Sequence, residues 1–280
     1  MEYSCRDKSW WDNINWYNKH LCEYYNIIPQ EALKLGTRST GRTPSLPGSK
    51  TCKPVLGLTY EDIWDLSPRK TEEEIFKFYK DQGSWSTFRQ CVRHTDNLDD
   101  HLKLFEPLFK NNMHIVEYGC GIAPFLFTLV NSIPNPREIN IDISLTDVDC
   151  EHLIFGHWRM GKLLKEKKYN NYNLYLKPVD PNKLPTYNQK IDLAIVYEVF
   201  EHVPDPIKVA ENLRNQMNPN GLLVENFVKH DQDEEDDGPD LLSARIQRTQ
   251  YYEYLNTNFT LVLGEAEHIS PSGTRIWKKK

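Results

Sequence analysis

His114-Ile115-Val116-Glu117-Tyr118-Gly119-Cys120-Gly121-Ile122-Ala123-Pro124 is the stretch whose reading decides the fold. A short apolar run ends in a carboxylate, two glycines follow one residue apart, and Pro124 suits the first position of a helix. The pattern predicts a buried strand, a tight turn, and a helix through Phe125-Leu126-Phe127-Thr128-Leu129-Val130. Gly119 and Gly121 let the backbone turn sharply and approach a ligand where a side chain would collide. A strand, a glycine turn and a helix N-terminus together are how an open α/β sheet holds a nucleotide-like cofactor.

Working outward, strands and helices alternate, as a parallel sheet with crossover helices requires. Glu138-Ile139-Asn140-Ile141-Asp142 reads as the second strand, with Asp142 at its end and Ile143 next to it. A carboxylate there accepts hydrogen bonds from two ribose hydroxyls; its alternative is to cap the helix bearing Leu153, Phe155 and Trp158. Leu174–Val179 reads as the third strand, followed by Asp180-Pro181-Asn182-Lys183-Leu184-Pro185. Asp-x-x-x-Leu-Pro resembles a methyltransferase segment whose aspartate accepts from an adenine amino group; the alternative is only an Asp-Pro turn. A dinucleotide site wants G-x-G-x-x-G, but the third glycine position holds Pro124.

Lys190-Ile191-Asp192-Leu193-Ala194-Ile195-Val196-Tyr197-Glu198-Val199-Phe200-Glu201-His202-Val203-Pro204-Asp205-Pro206 discriminates further. Ile191–Val196 reads as a strand buried on both faces. Asp205 and Pro206 then start a helix as N-cap and first residue. That helix would bury Ile207, Val209, Ala210, Leu213 and Met217, and Asn220-Gly221 would close it before a fifth strand from Leu222. Phe259–Leu263 and Thr274–Trp277 read as a final antiparallel pair.

The E-x-G-x-G-x-A pattern at 117–123 and the D-hhhh-x-E-x-x-E-H-V-x-D-P segment at 192–206 resemble class I S-adenosylmethionine (SAM)-dependent methyltransferases. The resemblance spans residues 112–228 and does not cover 1–85. It implies an α/β, Rossmann-like seven-stranded sheet with SAM as cofactor. Glu117, Gly119, Cys120, Gly121, Asp142, Ile143, Asp180, Pro181 and Tyr197 are its implied cofactor-binding residues. Arg93, with Arg89 as runner-up, is the candidate for the SAM carboxylate; a surface arginine is the plainer account.

E-x-x-E-H also resembles metal-dependent ubiquinone-biosynthesis O-methyltransferases and small-RNA 3′-terminal 2′-O-methyltransferases. In that reading Glu198, Glu201, His202 and His230 hold Mg²⁺ or another divalent cation. Without metal, His202 or Glu198 serves as general base.

Upstream, Trp10, Trp11, Ile14, Trp16, Tyr17, Leu21, Tyr24 and Tyr25 recur near helical intervals. Such a stripe packs as core or forms an aromatic lid, and packing is the favoured reading. A Gly/Pro/Ser-rich loop follows at 36–54, and Thr71 with Glu74 forms a capping box before Ile75, Phe76, Phe78 and Tyr79. The expected organisation is a helical, aromatic-rich extension or lid over residues 1–110 and a SAM-binding domain over 111–280.

The net charge of −6 gives no general attraction to nucleic acid, and seven acids between Asp231 and Asp240 would repel a polyanion. No apolar run is long enough to span a membrane, and the first residues lack a signal-peptide pattern. Six scattered cysteines without C-x-x-C spacing read as reduced thiols in a cytoplasmic protein. The expected activity is methyl transfer to a small-molecule acceptor, on O rather than N. The alternatives are a metal-dependent RNA 2′-O-methyltransferase, a non-catalytic SAM-binding protein, and a nicotinamide dehydrogenase.

Overall fold

The glycine turn follows the first of seven strands: β1 (Met113–Tyr118), β2 (Asn140–Val148), β3 (Asn171–Val179), β4 (Ile191–Val196), β5 (Met217–Glu225), β6 (Phe259–Leu263) and β7 (Arg275–Lys279). They form one sheet in the order β3-β2-β1-β4-β5-β7-β6. β1 runs parallel to β2 and β4, and β4 to β5, while β7 lies antiparallel between β5 and β6. The computed structural model describes residues 18–29, 71–81, 87–88, 90–91, 103, 105–180, 183–227, 241–265 and 273–280. Among them, no helix is long and apolar enough to cross a membrane.

The chain divides into two units. One comprises Lys110–Cys120, Asn135–Asp147 and Tyr169–Lys280 and contains the sheet. Every residue of β1 is buried, and Leu193, Ala194, Ile195 and Val196 of β4 are fully so. Central strands that meet no water on either face carry apolar runs instead of alternation, which is why both are legible as blocks. The helix Pro206–Gln216 starts where Asp205 accepts the Lys208 N–H at 2.9 Å and Pro206 takes the first position.

The other unit comprises Met1–Phe109, Gly121–Pro134 and Val148–Lys168. Its described helices are α1 (Glu72–Lys80), α2 (Pro124–Ser132) and α3 (Glu151–Glu166); the sheet unit adds α4 (Pro206–Gln216) and α5 (Leu242–Asn258). The capping box of α1 forms as expected: Glu74 N–H donates to Thr71 Oγ1, and Thr71 N–H to Glu74, each at 3.2 Å. Helical residues 18–25 lie along α3. Leu21 is fully buried, Tyr24 meets Phe155 and Trp158 edge to face, and Tyr25 donates to Glu151 at 2.9 Å. This part of the aromatic stripe packs as core; Trp10, Trp11, Ile14, Trp16 and Tyr17 lie outside the described residues.

His20 is buried between Phe127 and Trp158, with Nε2 3.3 Å from Glu166. Burial, and then the Arg159 charge, depress its pKa to about 4 against the opposing pull of Glu166.

Some boundaries differ from the sequence reading. β2 runs on to Val148, well past Asp142. β3 begins at Asn171 and β7 ends at Lys279. β5 begins at Met217, because Asn220-Gly221 does not close a helix. Between the pairs Ile191/Met217 and Leu193/Leu222 the β5 register shifts, and Asn220 takes a φ of 65° in that irregularity.

Candidate functional site

Parallel strands bring their C-terminal ends to one edge, where open α/β sheets place their sites. β1 ends at Tyr118, and Gly119 and Gly121 follow with φ of 66° and 50°. A Cβ on Gly119 would lie 2.3 Å from Val199 Cγ2, so only glycine allows this approach. Ala123 also takes a left-handed φ of 54°, the conformation a third glycine would adopt freely; for alanine it costs about 1 kcal/mol. The Cys120 N–H donates to the Thr146 carbonyl at 3.0 Å, tying the turn to the end of β2. Cys120 and Glu117 are both buried.

The register of β1 with β2 corrects the assignment of Asp142. That residue faces His114 near the start of both strands, whereas Tyr118 faces Thr146. The Asp142 carboxylate accepts from Asn173 Nδ2 and Gln189 Nε2, each at 2.6 Å. It lines a polar cavity with Asn112, Asn140 and Asn171, at the end of the sheet opposite the glycine turn. Ile143 is likewise interior to β2, fully buried opposite Ile115. The carboxylate at the C-terminal end of β2 is Asp147, next to Thr146 and close enough to raise the Tyr118 phenol pKa, an effect burial dominates.

Beyond β4, Glu198 has a φ of 57°. Its N–H donates to Asn226 Oδ1 at 2.6 Å, and its Oε1 accepts from Asn226 Nδ2 at 2.8 Å. Asn226 follows the last residue of β5, Glu225, whose partner across the ladder is Val196. Tyr197 turns its hydroxyl to Thr274 Oγ1 at 2.6 Å, and burial raises its pKa. The 3-10 turn Phe200–His202 follows, with the His202 N–H on the Val199 carbonyl at 2.8 Å.

Among the described residues, Glu198, Glu201 and His202 do not converge on a point that could hold a metal ion. Glu201 is 1 % exposed beside buried Phe200, and its charge bears on the phenols of Tyr251 and Tyr252 in α5. Among the described residues no three His, Cys, Asp or Glu side chains converge to hold a metal ion, and His230 lies outside them. The short helical turn is the physical reason: it buries Glu201 with Phe200 and leaves His202 half-buried.

Behind this edge, Glu225 is fully buried and accepts from Trp277 Nε1 at 2.9 Å and the Phe227 N–H at 2.7 Å, with Arg275 Nη1 at 3.6 Å. Burial raises its pKa, opposed by the Arg275 charge. Asp180 is exposed just past β3, its carbonyl accepting the Lys183 N–H at 3.1 Å. Pro181, Arg93 and Arg89 lie outside the described residues.

Asp147 and Asn226 are the residues at this edge that the sequence reading does not single out. Asp147 had a signal, because Ile139, Ile141, Ile143 and Leu145 alternate with polar residues past Asp142. Nothing local marks Asn226.

A glycine turn after β1, a carboxylate at the end of β2 and another past β4, and an antiparallel β7 set between β5 and β6 define a class I methyltransferase. The comparisons agree: a family model described as a methyltransferase domain matches residues 89–265, and the chain belongs to that family. It is therefore a SAM-dependent methyltransferase.

Solved structures with a similar fold include the small RNA methyltransferase HEN1, 16% identical with a TM-score of 0.48, where the match covers 66% of this chain and 25% of that one. Another is a SAM-dependent methyltransferase from Aquifex aeolicus, 15% identical with a TM-score of 0.45, covering 75% and 98%. A third is the O-methyltransferase TomG from Streptomyces achromogenes, 13% identical with a TM-score of 0.44, covering 66% and 80%. No curated protein matches the sequence.

The residues fit the cofactor by their chemistry. SAM presents an ammonium, a sulfonium, two ribose hydroxyls and an adenine amino group, which call for acceptors and negative charge. Asp147 and Glu198 place carboxylates of that kind at the same edge of the sheet unit as Gly119.

Proposed function

We propose that this methyltransferase acts on a hydroxyl of a small-molecule acceptor. Bound SAM supplies an electrophilic methyl group on its sulfonium. The chain's share is to align the acceptor oxygen with that methyl and remove one proton. In this reading the turn Gly119-Cys120-Gly121 gives the backbone cradle, Asp147 accepts from the ribose hydroxyls, and Asp180 meets the adenine amino group. Glu198 faces the sulfonium end, and His202 takes the acceptor proton, with Glu198 as the alternative base. No step passes through a metal ion.

The observation that carries the reading is the contact of Val199 with Gly119, which sets the Glu198–His202 turn directly against the glycine turn. A hydroxyl must lose its proton during transfer, and two proton-accepting side chain types at that point suit it. The net charge of −6 and the acids between Asp231 and Asp240 support a small acceptor over a polyanion.

The test is transfer from methyl-labelled SAM to a panel of phenols, catechols, hydroxy acids, amines and short RNAs, after thermal-shift comparison of SAM, S-adenosylhomocysteine and NAD. Product on a hydroxyl compound is the expected result. Product on RNA alone, product on amines alone, or tight SAM binding with no product would each overturn it.

A further inference from the structure

We propose that Asn226 is the positioning residue that aims the Glu198 carboxylate at the sulfonium end of bound SAM; this rests on the placement of Glu198 in the reading above. Asn226 is 2 % exposed and stands one residue past β5, while Glu198 stands two residues past its ladder neighbour β4. One amide grips Glu198 twice, with Oδ1 on its N–H and Nδ2 on its Oε1, at 2.6 and 2.8 Å. The grip falls on a non-glycine residue in the left-handed region, φ 57°. Such a backbone persists only where its surroundings over-determine it.

Each neighbour of Glu198 is pinned as well. Val199 packs on Gly119, and Tyr197 bonds Thr274 at the entry to β7. The backbone at 197–199 is therefore fixed on both sides, and the orientation of the carboxylate is the remaining freedom that Asn226 removes. A neutral amide suits this task because it carries an acceptor and a donor on one carbon. Aspartate at 226 would keep the acceptor for the Glu198 N–H and set a second carboxylate against the first. A carboxylate held in place before the ligand arrives favours a cationic sulfonium over the neutral thioether of S-adenosylhomocysteine.

The experiment is titration calorimetry of the full chain with SAM and with S-adenosylhomocysteine, for wild type, Asn226→Ala, Asn226→Asp, Glu198→Ala and the Glu198→Ala/Asn226→Ala double variant. Asn226→Ala and Asn226→Asp should each weaken SAM about tenfold and S-adenosylhomocysteine under about threefold, removing most of the preference. In the Glu198→Ala background the same Asn226→Ala change should alter SAM affinity by under about twofold. Should Asn226→Ala not fold, Asn226→Asp, which keeps the backbone acceptor, carries the test alone.

Equal losses for both ligands, or the same SAM loss with and without the Glu198 side chain, would mean that Asn226 shapes the pocket without acting through Glu198, and would overturn the proposal. A Glu198→Ala variant with the wild-type preference for SAM would instead remove Glu198 from the sulfonium and take the proposal with it.

Discussion

Replacing Gly119 by alanine tests whether the glycine turn is built against the Glu198 segment. The added Cβ would sit 2.3 Å from Val199 Cγ2 and 2.7 Å from Cγ1, well inside any contact real side chains make. Gly119 also has a φ of 66°; holding alanine in that region costs about 1 kcal/mol, and overfilling a packed site about 1–3 kcal/mol more. Gly119→Ala should therefore lose about 2–4 kcal/mol, or about 4–16 °C in Tm.

Val199→Ala removes both clashing methyl groups, and by itself should cost about 1–3 kcal/mol as a small cavity. In the double variant the new methyl enters the space that valine leaves, so the combined loss should fall short of the sum by about 1–2 kcal/mol. Urea denaturation of the four proteins, followed by tryptophan fluorescence, measures each term. Additivity within about 0.5 kcal/mol would show that the two residues do not meet, and the juxtaposition of the glycine turn and the Glu198 segment would fall with it.

Other expectations follow from single contacts. Asp147→Asn should weaken SAM binding about tenfold or more, while Asp142→Asn should leave it within about twofold, by calorimetry; the reverse order would restore Asp142 to the cofactor site. His20, with its pKa depressed to about 4, binds its proton more readily in the unfolded chain. Its contribution to stability is thus intact above the ordinary histidine pKa of about 6.5 and lost as pH falls from there toward 4. Urea midpoints of His20→Gln should change less across that interval than those of wild type. Trp277→Phe leaves the buried Glu225 carboxylate one donor short and should cost about 1–3 kcal/mol in the same denaturation assay. Thr71→Ala removes the cap of α1 and should cost about 1 kcal/mol, read as faster amide exchange in its first turn.

Much of the architecture was legible because the relevant signals were local. β4 and β6 fall where their apolar runs end, and Asp205-Pro206 caps α4 as its residue types require. Asp142 does not mark the end of β2 as the sequence reading expects, because the alternation that continues to Leu145 reports a longer strand. Spacing along the chain cannot register one strand against another; only the pairing of His114 with Asp142 reveals which end of the sheet that acid occupies. The burial of Glu201 was hidden for a related reason. Its spacing from Glu198 matches a ligand pattern, but a short helical turn fixes which side chains become buried, and E-x-x-E-H does not state that turn. Asn226 was illegible altogether, since its role depends on a residue 28 positions away brought close by adjacent parallel strands.

The placement of β7 between β5 and β6 has a consequence for how the sheet is completed on the ribosome. β6 emerges before the strand it must pair with, and the outer edge of β5 stays open until residues 275–279 leave the exit tunnel. Through that interval two unpaired edges coexist in the nascent polypeptide, each a template for a neighbouring chain. A stop codon between Leu263 and Arg275 would make that interval permanent, leaving β6 without its ladder partner and the indole that satisfies Glu225 missing from the interior.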